Sequence, residues 1–235
     1  SIINYRWVAN VKMTMVDGLV GIVAPHHCCC CDKIGSLLCD NCKYNITAER
    51  VTRCIVCGRP TANNWLCSDC HTPYERAWAV GSRTGALQRL IGLYKFERAI
   101  AASKTLSALM LQSLPELPPE TIIVPIPTVS SHVRERGYDH MLLIAKNIAQ
   151  ARGLKVQRLL KRQTSTKQRQ ATATQRSNQA KSAFAVDGLV DKGAIYLLVD
   201  DVMTTGATMK YAARSLIKAG AKHVWIAIIA RQTLD

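Results

Sequence analysis

Residues 194–199, Ala-Ile-Tyr-Leu-Leu-Val, run without a polar break and end on Asp200, Asp201 and a small hydroxyl-rich turn, Val-Met-Thr-Thr-Gly-Ala-Thr, that closes at Thr208. A short unbroken apolar run of this kind predicts a buried strand. Beyond the turn, Met209, Ala213, Leu216 and Ile217 recur at i, i+4, i+7 and i+8, one face of a helix that Lys218 and Gly220 stop. Val224 to Ala230 is a second apolar run. Strand, helix and strand predict a βαβ unit whose turn lies at the carboxyl end of a parallel sheet, where open α/β folds take their ligands.

The same alternation appears upstream. Ile122 to Pro127 reads as a buried strand stopped by proline, and Met141, Ile144, Ala145, Ile148 and Ala149 outline a helix ended by Gly153. The loop between them carries Arg134, Arg136, Gly137 and Tyr138. Earlier still, Leu87, Leu90, Ile91 and Tyr94 predict a helix that ends in Lys95-Phe96. Pro73 marks a change of composition. The expected organisation is an extension over 1–27, a cysteine module over 28–74 and an α/β domain over 75–235, its parallel sheet flanked by helices.

The turn after Val199 suggests chemistry. Asp200 and Asp201 can accept hydrogen bonds from vicinal ribose hydroxyls, and the backbone N–H groups of Thr204, Thr205, Gly206, Ala207 and Thr208, with the threonine hydroxyls, can wrap a phosphate. Gly206 lets that backbone close around the anion. The plainer reading is a strand-to-helix turn whose two acids only solvate a strand end.

All ten cysteines lie between Cys28 and Cys70, and eight form C-x-x-C pairs: Cys28 with Cys31, Cys39 with Cys42, Cys54 with Cys57, Cys67 with Cys70. Four pairs predict two structural zinc sites in a small zinc-ribbon-like module, since four thiolates close the coordination sphere. Only seven residues separate the first pair from the second, and nine the third from the fourth. Sequential pairing is the first choice and a cross-brace the alternative. Cys29, Cys30, His26, His27 and His71 are read as spectators. So small a segment buries little core, which gives the metal the folding role. Disulfides are disfavoured by the absence of a secretion signal.

Lys and Arg outnumber Asp and Glu by 31 to 16 in the 235 residues. No acid stands between Asp139 and Asp187, a stretch holding ten cations that include Lys161, Arg162, Lys167, Arg169, Arg176 and Lys181. Such a run is either a solvated surface, a loop that closes on pyrophosphate, or a nucleic-acid grip. Phe184 is the only aromatic residue there, so stacking partners for a strand are sought in Trp65, Tyr74 or Trp78, each more usual in a core. No apolar run approaches the roughly 18 residues of a membrane span, and no signal peptide is visible, so a soluble cytoplasmic protein is expected. The chain opens on Ser1, as a processed or cloned end would.

Val199 to Thr208 resembles the ribose-phosphate motif of type I phosphoribosyltransferases. With it, Lys95-Phe96, Val124 to Pro127, Arg134 to Tyr138, Gln168, Arg176 and Ala183-Phe184 together resemble the ComF (GntX-like) family from about Cys28 to Arg231. The resemblance implies a type I phosphoribosyltransferase-like fold and a role in natural competence. It also implies binding of phosphoribosyl pyrophosphate with Mg2+, single-stranded DNA as partner, and a competence helicase or translocation machinery nearby. Arg134, Arg136 and Arg176 would face the pyrophosphate. Asp139-His140 and Gln179 depart from the family's Asn-Gln and Asn, which puts catalysis in question. Thr204 stands where hypoxanthine-type enzymes carry a carboxylate, which argues against that activity. No catalytic residue is assigned, and phosphoribosyl transfer to an unidentified acceptor stays the alternative to binding.

Overall fold

The computed structural model describes residues 27–48, 53–61, 66–96, 100–163 and 184–232. Its centre is a five-stranded parallel sheet in the order β1-β7-β6-β2-β3, built from β1 (Arg76–Ser82), β2 (Thr121–Pro125), β3 (Lys155–Val156), β6 (Ile195–Met203) and β7 (His223–Arg231). Every residue of β2 and all from Ile195 to Val199 in β6 are buried, as strands covered on both faces require. Register runs from Thr121 opposite Ile195 to Pro125 opposite Val199, and from Ile195 opposite His223 to Met203 opposite Arg231. The carboxyl ends of β2 and β6 therefore finish side by side, and the turn after Met203 opens at that edge.

Helices α2 (Gly85–Phe96), α3 (Ala101–Ser113) and α5 (His140–Arg152) cover one face through a core that includes Leu90, Leu106, Ile123, Ile144, Ile148 and Leu197. Helix α6 (Ala207–Lys218) and the antiparallel pair β4 (Leu160–Arg162) and β5 (Phe184–Val186) cover the other through Val124, Phe184, Leu198, Met209 and Leu216. Local chemistry sets the helix ends. The Asp139 carboxylate accepts from the Leu142 N–H at 3.2 Å to cap α5, and Gly153 closes it at φ 65°.

Three expectations are refined. On α6 the buried face is Met209, Ala212, Ala213 and Leu216, while Ile217 is 43% exposed. Ile217 lies about 80° round the helix from Met209, at the margin of the face. The segment before Gly137 is a short helix, α4 (Ser130–Arg136), ended by Gly137 at φ 83°. Tyr74 and Trp78 are buried, Trp78 edge-on to Trp225 with ring centroids 5.6 Å apart, so neither offers a face to a nucleobase; Trp65 lies outside the described residues.

The cysteine knuckles pack on the sheet. Cys28, Leu38 and Cys42, the last on α1 (Asp40–Ala48), join the core on the α2/α3 face, whereas Ile55 and Tyr74 join the core on the α6 face. Alternate residues of β1, Trp78 and Val80 against Ala77 and Ala79, meet the two groups' cores from the same edge strand. Among the described residues no helix is long and apolar enough to cross a membrane.

Candidate functional site

Where β6 ends, Asp200 is half-buried and Asp201 is 7% exposed. Next come the exposed Thr204 and Thr205, then Gly206, which opens α6 at φ 76°. The Ala207 N–H lies 3.4 Å from Thr205 Oγ1, so the turn begins to fold around its own hydroxyl. A Cβ on Gly206 would stand 3.5 Å from the Met203 side chain, ordinary contact, so backbone conformation is what demands glycine here. Gly206→Ala is expected to cost about 1 kcal/mol through the left-handed conformation. Urea unfolding checks this.

The acids open on a cleft of about 470 Å3, whose walls include Lys95, Phe96, Thr128, Arg136, His140, Arg162 and Thr208. Asp201 turns onto a lysine and a histidine. Its Oδ2 lies 2.6 Å from Lys95 Nζ, at the end of α2, and 2.6 Å from His140 Nε2, at the start of α5. His140 Nδ1 lies 3.2 Å from Arg136 Nη1. Arginine can only donate, so Nδ1 accepts and the assigned tautomer carries its proton on Nε2, donating to Asp201. Burial would raise the Asp201 carboxyl, but the hydrogen bond from His140 and the Lys95 charge outweigh it and hold the group near about 2. Asp200 moves the other way: burial and the like charge of Asp201 push it up to about 8. At neutral pH the pair therefore carries close to one negative charge, with Asp200 ready to lose its proton to an arriving cation.

Lys95 and His140 were not singled out as site residues from the chain. The signal was present in the Lys-Phe pair and in the Asp139-His140 departure, but only the fold brings both to Asp201. Asp139 serves α5 and accepts from Thr128 Oγ1 at 3.0 Å.

The expected pyrophosphate arginines separate. Arg136 lines the cleft and stands 6.0 Å from the Phe96 ring centre, while Arg134 lines a neighbouring cavity of about 340 Å3 with Arg158. Arg162 reaches the cleft from β4, donating from Nε to Pro127 O at 2.8 Å and riding 5.2 Å over the Phe184 ring. Lys161 is exposed and paired with Asp187 at 2.7 Å. Lys167, Arg169, Arg176 and Lys181, with Gln168 and Gln179, lie outside the described residues.

The cysteines cluster in sequence order, Cys28, Cys31, Cys39 and Cys42 in one group and Cys54, Cys57, Cys67 and Cys70 in the other, each with sulfurs within 4.8 Å of one another. Sequential pairing is the observed arrangement and the cross-brace is excluded. Both knuckles repeat one backbone pattern: Cys28 N–H to Lys33 O and Asp32 N–H to Cys28 O, then Cys54 N–H to Arg59 O and Gly58 N–H to Cys54 O. Asp32 and Gly58 occupy equivalent left-handed positions, at φ 64° and 73°. None of the ten cysteines is paired in a disulfide. A backbone N–H from Arg59 helps lower the Cys57 thiol to about 6, toward the thiolate that binds metal. Each group can hold one metal ion, and four thiolates favour a soft, tetrahedral one. Cys29 stands apart, its Sγ 3.9 Å from Ala86 O.

The second group is tied to the Thr204 to Thr208 turn. Arg231, the last residue of β7, donates from Nε to Ile55 O at 2.6 Å and from Nη1 to Met203 O at 3.2 Å and to Thr204 O. Ile55 sits inside the Cys54-x-x-Cys57 knuckle.

A phosphoribosyl transferase domain family matches residues 142–233. "DNA utilization protein YhgH" of Salmonella typhi is 31% identical over 200 residues, covering 78% of this chain and 86% of that protein. The Escherichia coli K12 protein of the same name is 29% identical over 213 residues, covering 83% and 90%. "Competence protein ComFC" of Bacillus subtilis strain 168 is 23% identical over 194 residues, covering 78% and 79%.

Proposed function

The chain belongs to the ComF (GntX-like) family, and from that premise we propose that it binds phosphoribosyl pyrophosphate, or a related nucleotide sugar, with Mg2+ in the cleft at the end of β6. In the same proposal it takes single-stranded DNA on the basic surface alongside and serves DNA uptake in transformation. The names of its relatives, a DNA utilization protein and a competence protein, support this role. The observation that carries the ligand assignment is the coincidence of the two acids with the Thr204 to Thr208 turn beside Arg136 and Arg162.

The division of labour follows from chemistry. Asp200, the more exposed of the two acids, would receive ribose hydroxyls or Mg2+, and Asp201 is a fixed anion that keeps Lys95 and His140 in place. Main-chain N–H groups at the start of α6 would hold the 5'-phosphate. Arg136 and Arg162 would offset the pyrophosphate charge. Zinc is the metal that suits both cysteine groups, holding two short knuckles closed without an open coordination position.

Phosphoribosyl pyrophosphate with Mg2+ at tenfold its dissociation constant should stabilise the protein by about 1.4 kcal/mol, read as a rise in melting temperature. Asp200→Asn, whose Oδ1 can still accept from the Asp201 N–H, should abolish the rise. A rise that survives this substitution places the ligand elsewhere. Pyrophosphate released on adding a base, amine or DNA would reassign the protein as a transferase.

A further inference from the structure

Helix α4 turns two arginines, two residues apart, into different cavities. Residues so spaced stand about 200° apart around a helix, and Arg136 accordingly lines the cleft while Arg134 lines the cavity beside it. Pro127 and Thr128 line both and form the ridge between them. Arg158, on the segment joining β3 to β4, also lines the second cavity. Arg134 and Arg158 are both exposed, and neither has an ion pair or hydrogen bond among the described residues. The acid in the wall, Asp139, is already engaged by Thr128 and the Leu142 N–H. Ser130 and the apolar Pro125, Val133 and Leu160 complete the wall.

We propose that this second cavity is an anion subsite for a phosphodiester of a single nucleic-acid strand, held by Arg134 and Arg158, with the strand crossing the Pro127–Thr128 ridge from the cleft. The inference rests on the functional reading above and adds the path of the strand. Two cationic cavities with one common wall suit a ligand with repeated phosphates. Arg162, bonded to Pro127 O, supplies a cation at the crossing. The contacts would go to phosphate, so they position a strand without reading its bases.

The test is a salt series of oligodeoxythymidine binding to the full chain and to Arg134→Gln/Arg158→Gln. Each single-strand phosphate contact contributes about 0.7 to the slope of log affinity against log salt. The double variant should therefore lose about 1.4 units of slope, weaken equally toward strands of mixed sequence, and keep the parent's affinity for ribose 5-phosphate. Arg134→Lys/Arg158→Lys should restore most of the slope, because a point charge suffices at a phosphate. An unchanged slope in the glutamine variant, with the parent binding DNA, overturns the subsite alone. Loss of affinity for phosphoribosyl pyrophosphate with the slope intact assigns the cavity to pyrophosphate and overturns it too. A parent that binds no strand at low salt removes both the subsite and the nucleic-acid part of the proposed function.

Discussion

Arg231→Met is expected to lower the free energy of unfolding by about 2 kcal/mol and to loosen the Thr204 to Thr208 turn. The half-buried guanidinium donates to carbonyls from two separate parts of the chain: Ile55 in the second knuckle, and Met203 and Thr204 at the end of β6. Burial lowers its pKa, evidence of how far it has left water. Methionine replaces the aliphatic stem and removes every donor. An acceptor left without a partner away from water costs roughly 1–3 kcal/mol, and here that falls on Ile55 O, because Met203 O keeps the Gln232 N–H at 2.9 Å and Thr204 is exposed to water. Arg231→Lys keeps the charge but loses the fork that spans both groups, and should recover less than half of the loss. Urea unfolding gives the magnitude, and amide exchange at Thr204 to Thr208 gives the local effect. A variant within 0.5 kcal/mol of the parent, with unchanged exchange, would mean that these bonds contribute nothing net.

This tie also marks where sequence reading reaches its limit. The strand before Asp200, the glycine that opens α6 and the parallel βαβ unit were legible because each is encoded within a few residues, as an unbroken apolar run, a needed left-handed φ or a helical period. The four cysteine pairs were legible for the same reason, but their grouping was not: sequential pairing was the first choice, a cross-brace stayed open, and the sulfur positions decide between them. That the knuckles would lie on opposite faces of the sheet was not legible, since Leu38 and Ile55 are both buried apolar residues in small cysteine-bounded segments and nothing nearby says which face each will meet. Arg134 and Arg136 read as one motif because a loop and a short helix look alike over seven residues, yet the helix sends them apart. Tyr74 and Trp78 show the reverse case, aromatic residues that local sequence allows as stacking surfaces and that packing consumes. Asp201 found Lys95 and His140 through contacts that no local pattern records.

That last cluster yields a prediction of similar size. Asp201→Ala should destabilise the protein by about 3 kcal/mol, the lower end for breaking a buried ion pair, because Lys95 at 21% side-chain exposure can turn toward water while His140 at 7% cannot. The pH dependence separates the two acids by sign. Asp201 is held near about 2, so its contribution is complete above the unfolded value near 4 and is lost as pH falls through about 2. Asp200 is raised to about 8, so between roughly pH 4 and 8 the native state holds a proton that the unfolded chain has released. More protons on the native state make stability fall as pH rises. Asp200→Asn should flatten that decline while leaving the acid limb unchanged. Asp201→Ala should remove the acid limb and, by deleting the like charge, lower Asp200 and weaken the decline as well. Urea unfolding from pH 2 to 9 on the parent and both variants reads all of this. If Asp201→Ala keeps the parent's acid limb, or Asp200→Asn keeps its decline toward pH 8, the charge distribution assigned to this acid pair is wrong.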